Sequence, residues 1–278
     1  MSISIDLLWI ITKSIVVRKC IWCKQTDLET SFRKEAHTIP QQLGGLNICE
    51  NVCDRCNSYF GNSSSKLPAI ETVLKETFNI TRTLFLKSDN DIGKNKSMTK
   101  FSSIYFNLDF QKLKLSLKLK YKLHRHFQEN VARQLKRGLF KMFLEERERQ
   151  FKDGHDTRFD FIREFARYNI GDYPIYYFER LYGIIPMVQE LARHPTLFFD
   201  KEYQSKYLVN EYGFFEFEFL SHVFGLPVTR TWELGVLNYL KISLERKKAL
   251  FRSYKQIVKF NDIDLTLSAL NDRKNDVH

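Results

Sequence analysis

Two short cysteine pairs constrain this chain more than any other feature. Cys20-Ile-Trp-Cys23 and Cys53-Asp-Arg-Cys56 begin thirty-three residues apart. A C-x₂-C unit puts two sulfurs on one tight turn, where both reach a single ion, and two such units complete a tetrahedral shell for Zn²⁺. A redox pair or four unrelated cysteines are the competing readings. A closed four-sulfur shell has no open position, so Cys20, Cys23, Cys53 and Cys56 are expected to carry structure, not chemistry. His37 lies between the pairs and is left for another task.

Charge bears on partners. The 278 residues carry a net charge of +11, with a pI near 9.3. A surplus of that size favours polyanions, nucleic acid first and an acidic membrane surface second. No apolar run reaches bilayer length. The apolar start, residues 2–17, contains Asp6 and Lys13 and reads as structure, not as a signal peptide. Cysteines mostly in C-x₂-C pairs fit metal-bound thiolates in a reducing cytoplasm better than a disulfide scaffold. Cys49, the odd one, reads as a small buried residue.

The pattern predicts an α+β protein in two parts. Residues 1–87 form the cysteine–histidine unit with a trailing helix over 66–86, where Leu67, Ile70, Val73, Leu74 and Phe78 recur at helical spacing. Residues 88–100 are polar and read as a linker. Residues 101–278 form a larger mixed α+β domain for substrate, activator or partner binding. In it, Ile104, Phe106, Leu108 and Phe110 alternate, then Leu113, Leu115, Leu117 and Leu119, which predicts a hairpin. Helices are expected over 128–150 and 158–168, strand character over 206–219, and strand then helix over 234–251.

The segment around His37 adds Ile39-Pro40, a Leu43-Gly-Gly-Leu46 turn, Asn47, Asn51, and Asn57 directly after the last cysteine. Over about residues 18–65 this combination resembles the HNH endonuclease family, a ββα-metal unit stapled by a four-cysteine zinc. The resemblance implies that His37 is the general base. A histidine suits that role because imidazole titrates near neutrality. Asn57 would bind the catalytic Mg²⁺ or Mn²⁺, and Asn51, with Asn47 as substitute, would tie down the loop between the strands. Such an ion prefers oxygen donors and is distinct from the zinc. Family members usually carry Asp, Glu or His just before the base; here Ala36 stands there. Glu35 shares a strand face with His37 and is the candidate second ligand. Proteins of this type often serve bacterial defence against phage, which would require restraint by a regulatory subunit, a guide or a homo-oligomeric switch.

Residues 112–141 hold ten Lys or Arg against one acid, Glu129. Lys112, Lys114, Lys118, Lys120 and Arg125 are the candidate nucleic-acid contacts, the lysines from 112 to 120 mostly on the face opposite Leu113 to Leu119. A solvated edge strand is the competing reading. The leading expectation is a metal-dependent endonuclease acting on nucleic acid, most simply double-stranded DNA. The rival is a non-catalytic zinc-stabilised binding or adaptor subunit, which Ala36 favours.

Overall fold

A computed structural model describes residues 17–63, 67–86, 102–109, 114–180, 194–199, 214–228, 231–245 and 251–266. The expected linker at 88–100 and the segments 2–16 and 206–213 lie outside the described residues. No described helix is long and apolar enough to cross a membrane.

Residues 17–53 are turns, a 3₁₀ turn at Gln41–Leu43 and two isolated bridges, Lys19 with Thr26 and His37 with Ile48. They lead into α1, Asp54–Gly61. Helix α2, Ile70–Phe85, follows the apolar repeat read from the sequence and buries Val73, Leu74 and Phe78. The hairpin β1 (Phe106–Asp109) and β2 (Lys114–Leu117) pairs Phe106 with Leu117. The expected alternation stops earlier than the leucines suggest. Lys118 donates its backbone N–H to Tyr105 and starts the one-turn α3, Leu119–Lys122, leaving Leu119 69% exposed instead of packed. Lys120 is therefore helical, not on a strand face.

Helix α4, Phe127–Phe151, is the centre of the molecule. Its apolar stripe, Val131, Leu135, Leu139 and Met142, is buried, and so are most charged residues on its other sides. It crosses α2 closely enough that a Cβ on Gly138 would lie 2.7 Å from Leu74 Cγ. A helix buried all round needs its charges paired inside. Lys136 bonds Asp172 at 2.6 Å, and Arg137 donates to the carbonyls of Phe165 and Ala166. This corrects the reading of the basic run as one cationic surface: its helical part, Lys136, Arg137 and Lys141, is internal.

The expected helix over 158–168 is a 3₁₀ turn, a short helix α5 (Asp160–Ile162) and a π-helical turn, Arg163–Arg167. The chain then builds an antiparallel five-stranded sheet from β3 (Tyr176–Arg180), β4 (Leu197–Phe199), β5 (Phe214–Phe219), β6 (His222–Pro227) and β7 (Phe251–Gln256), in the order β4-β5-β6-β3-β7. Helix α6, Trp232–Glu245, packs Val236 and Tyr239 on one sheet face, against Phe178 and Phe214. The order here is helix then strand, the reverse of the expectation for 234–251. Val236, Tyr239 and Leu240 recur at helical spacing, and only three-dimensional packing separates them from the exposed Leu234 and Leu237. The other sheet face, with Tyr177, Phe215 and Phe224, joins a single apolar core that also contains Trp22, Phe60, α2 and α4.

Candidate active site and metal centre

The first cysteine pair sits on a turn closed by Cys20 N–H to Gln25 O at 2.8 Å and Lys24 N–H to Cys20 O at 2.9 Å. Lys24 takes φ 60° to make that turn. The second pair uses the start of α1: Cys53 is its N-cap residue and Cys56 lies in its first turn. Cys53 N–H points at Cys20 Sγ, 3.4 Å away. All four sulfurs lie within 4.8 Å of one another, and Cys23 and Cys53 are 3.7 Å apart. Tetrahedral zinc with Zn–S bonds of about 2.3 Å separates its sulfurs by about 3.8 Å. The set therefore fits zinc. Among the described residues it is also the one group of three or more His, Cys, Asp or Glu side chains able to share an ion.

Cations surround this centre. Arg167 Nε donates to Cys56 Sγ at 3.2 Å, and its guanidinium lies 4.0 Å over the Tyr59 ring. Arg163 Nε donates to the carbonyl of Ile21 inside the first pair. The π-helical turn thus reaches both knuckles. A hydrogen bond from Cys56 holds the Cys20 thiol well below its ordinary range, against burial, and the same bond raises Cys56, so Cys20 is the readier thiolate of the two.

His37 lies in a small hairpin. Cys49 N–H bonds Ala36 O and Thr38 N–H bonds Asn47 O, each at 2.9 Å. These flanking bonds make His37 and Ile48 a non-hydrogen-bonded pair, so the backbone N–H and C=O of His37 both point away from the partner segment. The turn needs its glycines. Gly44 has φ 91°, and a Cβ on Gly45 would lie 2.1 Å from Ile39 O. Arg82 of α2 secures it by donating to Leu43 O at 2.9 Å.

The side chains alternate. Glu35 is exposed, Ala36 is buried in the core at 1% exposure, and His37 is half-buried. Asn57 on α1 donates Nδ2 to Glu35 O at 3.0 Å, which fastens the helix two residues before His37. Among the described residues, neither the His37 ring nor the Glu35 carboxylate has a hydrogen bond or ion pair. Asn51 donates to Glu148 Oε1 at 2.6 Å, and Asn47 to Glu146 Oε1 at 3.4 Å. Both therefore tether the hairpin to α4.

The polar residues of α4 that meet this unit went unread in the sequence: Lys141 on His37 O, Glu145 on Trp22 Nε1, Glu146 on Thr38 Oγ1, and Glu148 on Asn51. The Lys141–Glu145 spacing of four was visible, but it reads as an ordinary surface pair. The candidate nucleic-acid contacts disperse. Lys112 and the Lys114 side chain lie outside the described residues. Lys118 Nζ is spent on Ser103 O at 2.6 Å. Lys120 and Arg125 are exposed, together with Lys122, His124 and His126.

Residues 20–66 match the HNH endonuclease family. No curated protein and no solved structure matches the chain. The match spans both cysteine pairs and His37, and it gives this segment a nuclease or nucleic-acid-related character.

Proposed function

We propose that the chain is a metal-dependent endonuclease that hydrolyses phosphodiester bonds, most simply in double-stranded DNA, with His37 as general base. One observation carries this reading: the unit that gathers the four cysteines also carries a half-buried His37, its ring free of internal bonds among the described residues, and an Asn57 amide bonded to Glu35 O two residues before it. His37 would take the proton as water attacks phosphorus and the P–O bond to the leaving oxygen breaks. Asn57 donates through Nδ2, which leaves Oδ1 for a hard cation, and Glu35 adds an unengaged carboxylate; these donors fit Mg²⁺ or Mn²⁺. Bound there, such a cation stabilises charge on the leaving oxygen. Asn51 holds the loop by its bond to Glu148.

Lys120, Lys122 and Arg125 form an exposed basic knuckle before α4. Arg125 lies sixteen residues before Lys141, and the helical stretch from Phe127 to Lys141 spans about 21 Å at 1.5 Å per residue. In this reading the knuckle contacts phosphates of the duplex whose scissile bond sits at His37. Phage defence, with a partner or second copy to restrain the enzyme, rests on the family resemblance alone.

The second reading is a zinc-stabilised nucleic-acid-binding unit without catalysis, favoured by the burial of Ala36 where the family places a ligand. Plasmid incubated with Mg²⁺ or Mn²⁺ separates the two. Nicking by the wild type that His37→Ala abolishes supports the enzyme; equal nicking by both removes His37 from the mechanism.

A further inference from the structure

We infer that Lys141 is a positioning residue for His37, set in place by a buried ion cluster on α4; this rests on the nuclease reading above. The C=O of His37 faces away from its hairpin partner, so the hairpin itself does not satisfy it. A carbonyl turned towards the protein interior and left without a donor is destabilising. Lys141 Nζ, 0% exposed, donates to it at 2.6 Å. The same ammonium is 3.1 Å from Glu145 Oε2 and 3.6 Å from Glu71 Oε1. Glu145 in turn accepts from Trp22 Nε1 at 3.0 Å, inside the first cysteine pair.

The cluster therefore links α2, α4, the first zinc knuckle and the backbone atom next to the proposed base. The buried ammonium has three N–H groups to place; Glu145 takes one at 3.1 Å, and Glu71 at 3.6 Å adds charge beyond hydrogen-bond distance. Its bond to a main-chain carbonyl fixes one residue in particular, and that residue is His37. The bonds from Thr38 and Asn47 to Glu146, on the same helix, hold the positions around it. Lys141 touches no substrate in this arrangement. It sets the height and tilt of the peptide from which the imidazole projects, and a shift of about 1 Å at a reacting group can cost on the order of 10²-fold in rate.

The test pairs Lys141→Met/Glu145→Gln with Lys136→Met. The double variant removes the donor and one opposing charge while keeping an acceptor for Trp22. The control deletes another buried lysine of α4 that does not touch the hairpin. Cleavage of plasmid under saturating Mn²⁺ is measured beside plasmid affinity, and the His37 ring resonances, identified by their loss in His37→Ala, are followed by ¹⁵N-edited NMR. The expected result is a cleavage step slowed by about 10²-fold with plasmid affinity within about twofold, and a displaced His37 signal. Lys136→Met should move neither. A folded double variant with an unmoved His37 signal overturns the inference, whatever its activity. Absence of cleavage by the wild type would sink the nuclease reading, yet the ring signal still decides the role of Lys141. Should the double variant not fold, a through-hydrogen-bond coupling between Lys141 ¹⁵Nζ and His37 ¹³C′ in the wild type decides it: its presence supports the inference, and an ammonium that exchanges like a surface lysine refutes it.

Discussion

Arg167 Nε donates to Cys56 Sγ at 3.2 Å, across 111 residues of sequence. Four thiolates on a bound Zn²⁺ would leave a net charge of −2, and the guanidinium over the Tyr59 ring would offset part of it. The π-helical turn that delivers Arg167 also delivers Arg163 to Ile21 O, so the metal centre and the segment after α4 are bonded together. Metal analysis should find one zinc per chain. Arg167→Leu should weaken zinc binding by about tenfold, read by competition with a chromophoric chelator, since loss of an outer-sphere partner typically costs 10–100-fold. Stripping the metal should also erase hydrogen-exchange protection in residues 163–168, not only around the cysteines.

Helix propensity and packing oppose each other at Gly138. Glycine costs a helix about 1 kcal/mol relative to alanine, so propensity alone would make Gly138→Ala stabilising. The added methyl would sit 2.7 Å from Leu74 Cγ and must push α2 from α4. Overpacking of this kind costs about 1–3 kcal/mol. The melting temperature should fall, and Leu74→Ala in the same chain should recover part of the loss that Gly138→Ala causes.

His222 is fully buried among Phe78, Tyr177 and Phe224, and among the described residues its Nε2 has no hydrogen-bond partner. Burial holds it down to about 4 from an ordinary 6.5, with Asp264 opposing weakly. Between those values the unfolded chain takes up a proton that the folded chain refuses. The stability tied to His222 is thus complete above pH 6.5 and lost as pH falls towards 4. Denaturant titrations should show the wild type losing up to about 3 kcal/mol more than His222→Phe over that window.

The exposed knuckle gives a salt-dependent outcome. Lys120→Ala/Arg125→Ala should weaken binding to a duplex of any sequence and lower the slope of log K against log salt by about 2. Zinc content and melting temperature should stay as in the wild type, because both side chains are solvent-exposed. An unchanged slope would move the nucleic-acid surface elsewhere.

What could be read in advance was local. The cysteine spacing, the Leu43-Gly-Gly-Leu46 turn and the apolar stripes of α2 and α4 each depend on neighbours a few residues away, and each appears in the fold. The basic run misled because a count of charges contains no burial. Lys136 and Lys141 find Asp172 and Glu71 far along the chain, and nothing near them in sequence announces it. Strand β6 was missed because all of His222–Pro227 is buried, so it shows no alternation to detect. At the site, Glu35 and His37 could be placed on a common face by parity. The capture of His37 O by a helix more than a hundred residues away could not.

The burial of α4 on every side has a consequence for how this molecule can vary. Trp22 shares a hydrogen bond with Glu145, His37 O accepts from Lys141, and Asn51 is held by Glu148. A cysteine–histidine cassette excised ahead of α4 would carry away half of each contact and lay bare the apolar side of its own knuckles. Any transplant into another scaffold must bring that helix along, or supply a counterfeit of its acidic ladder.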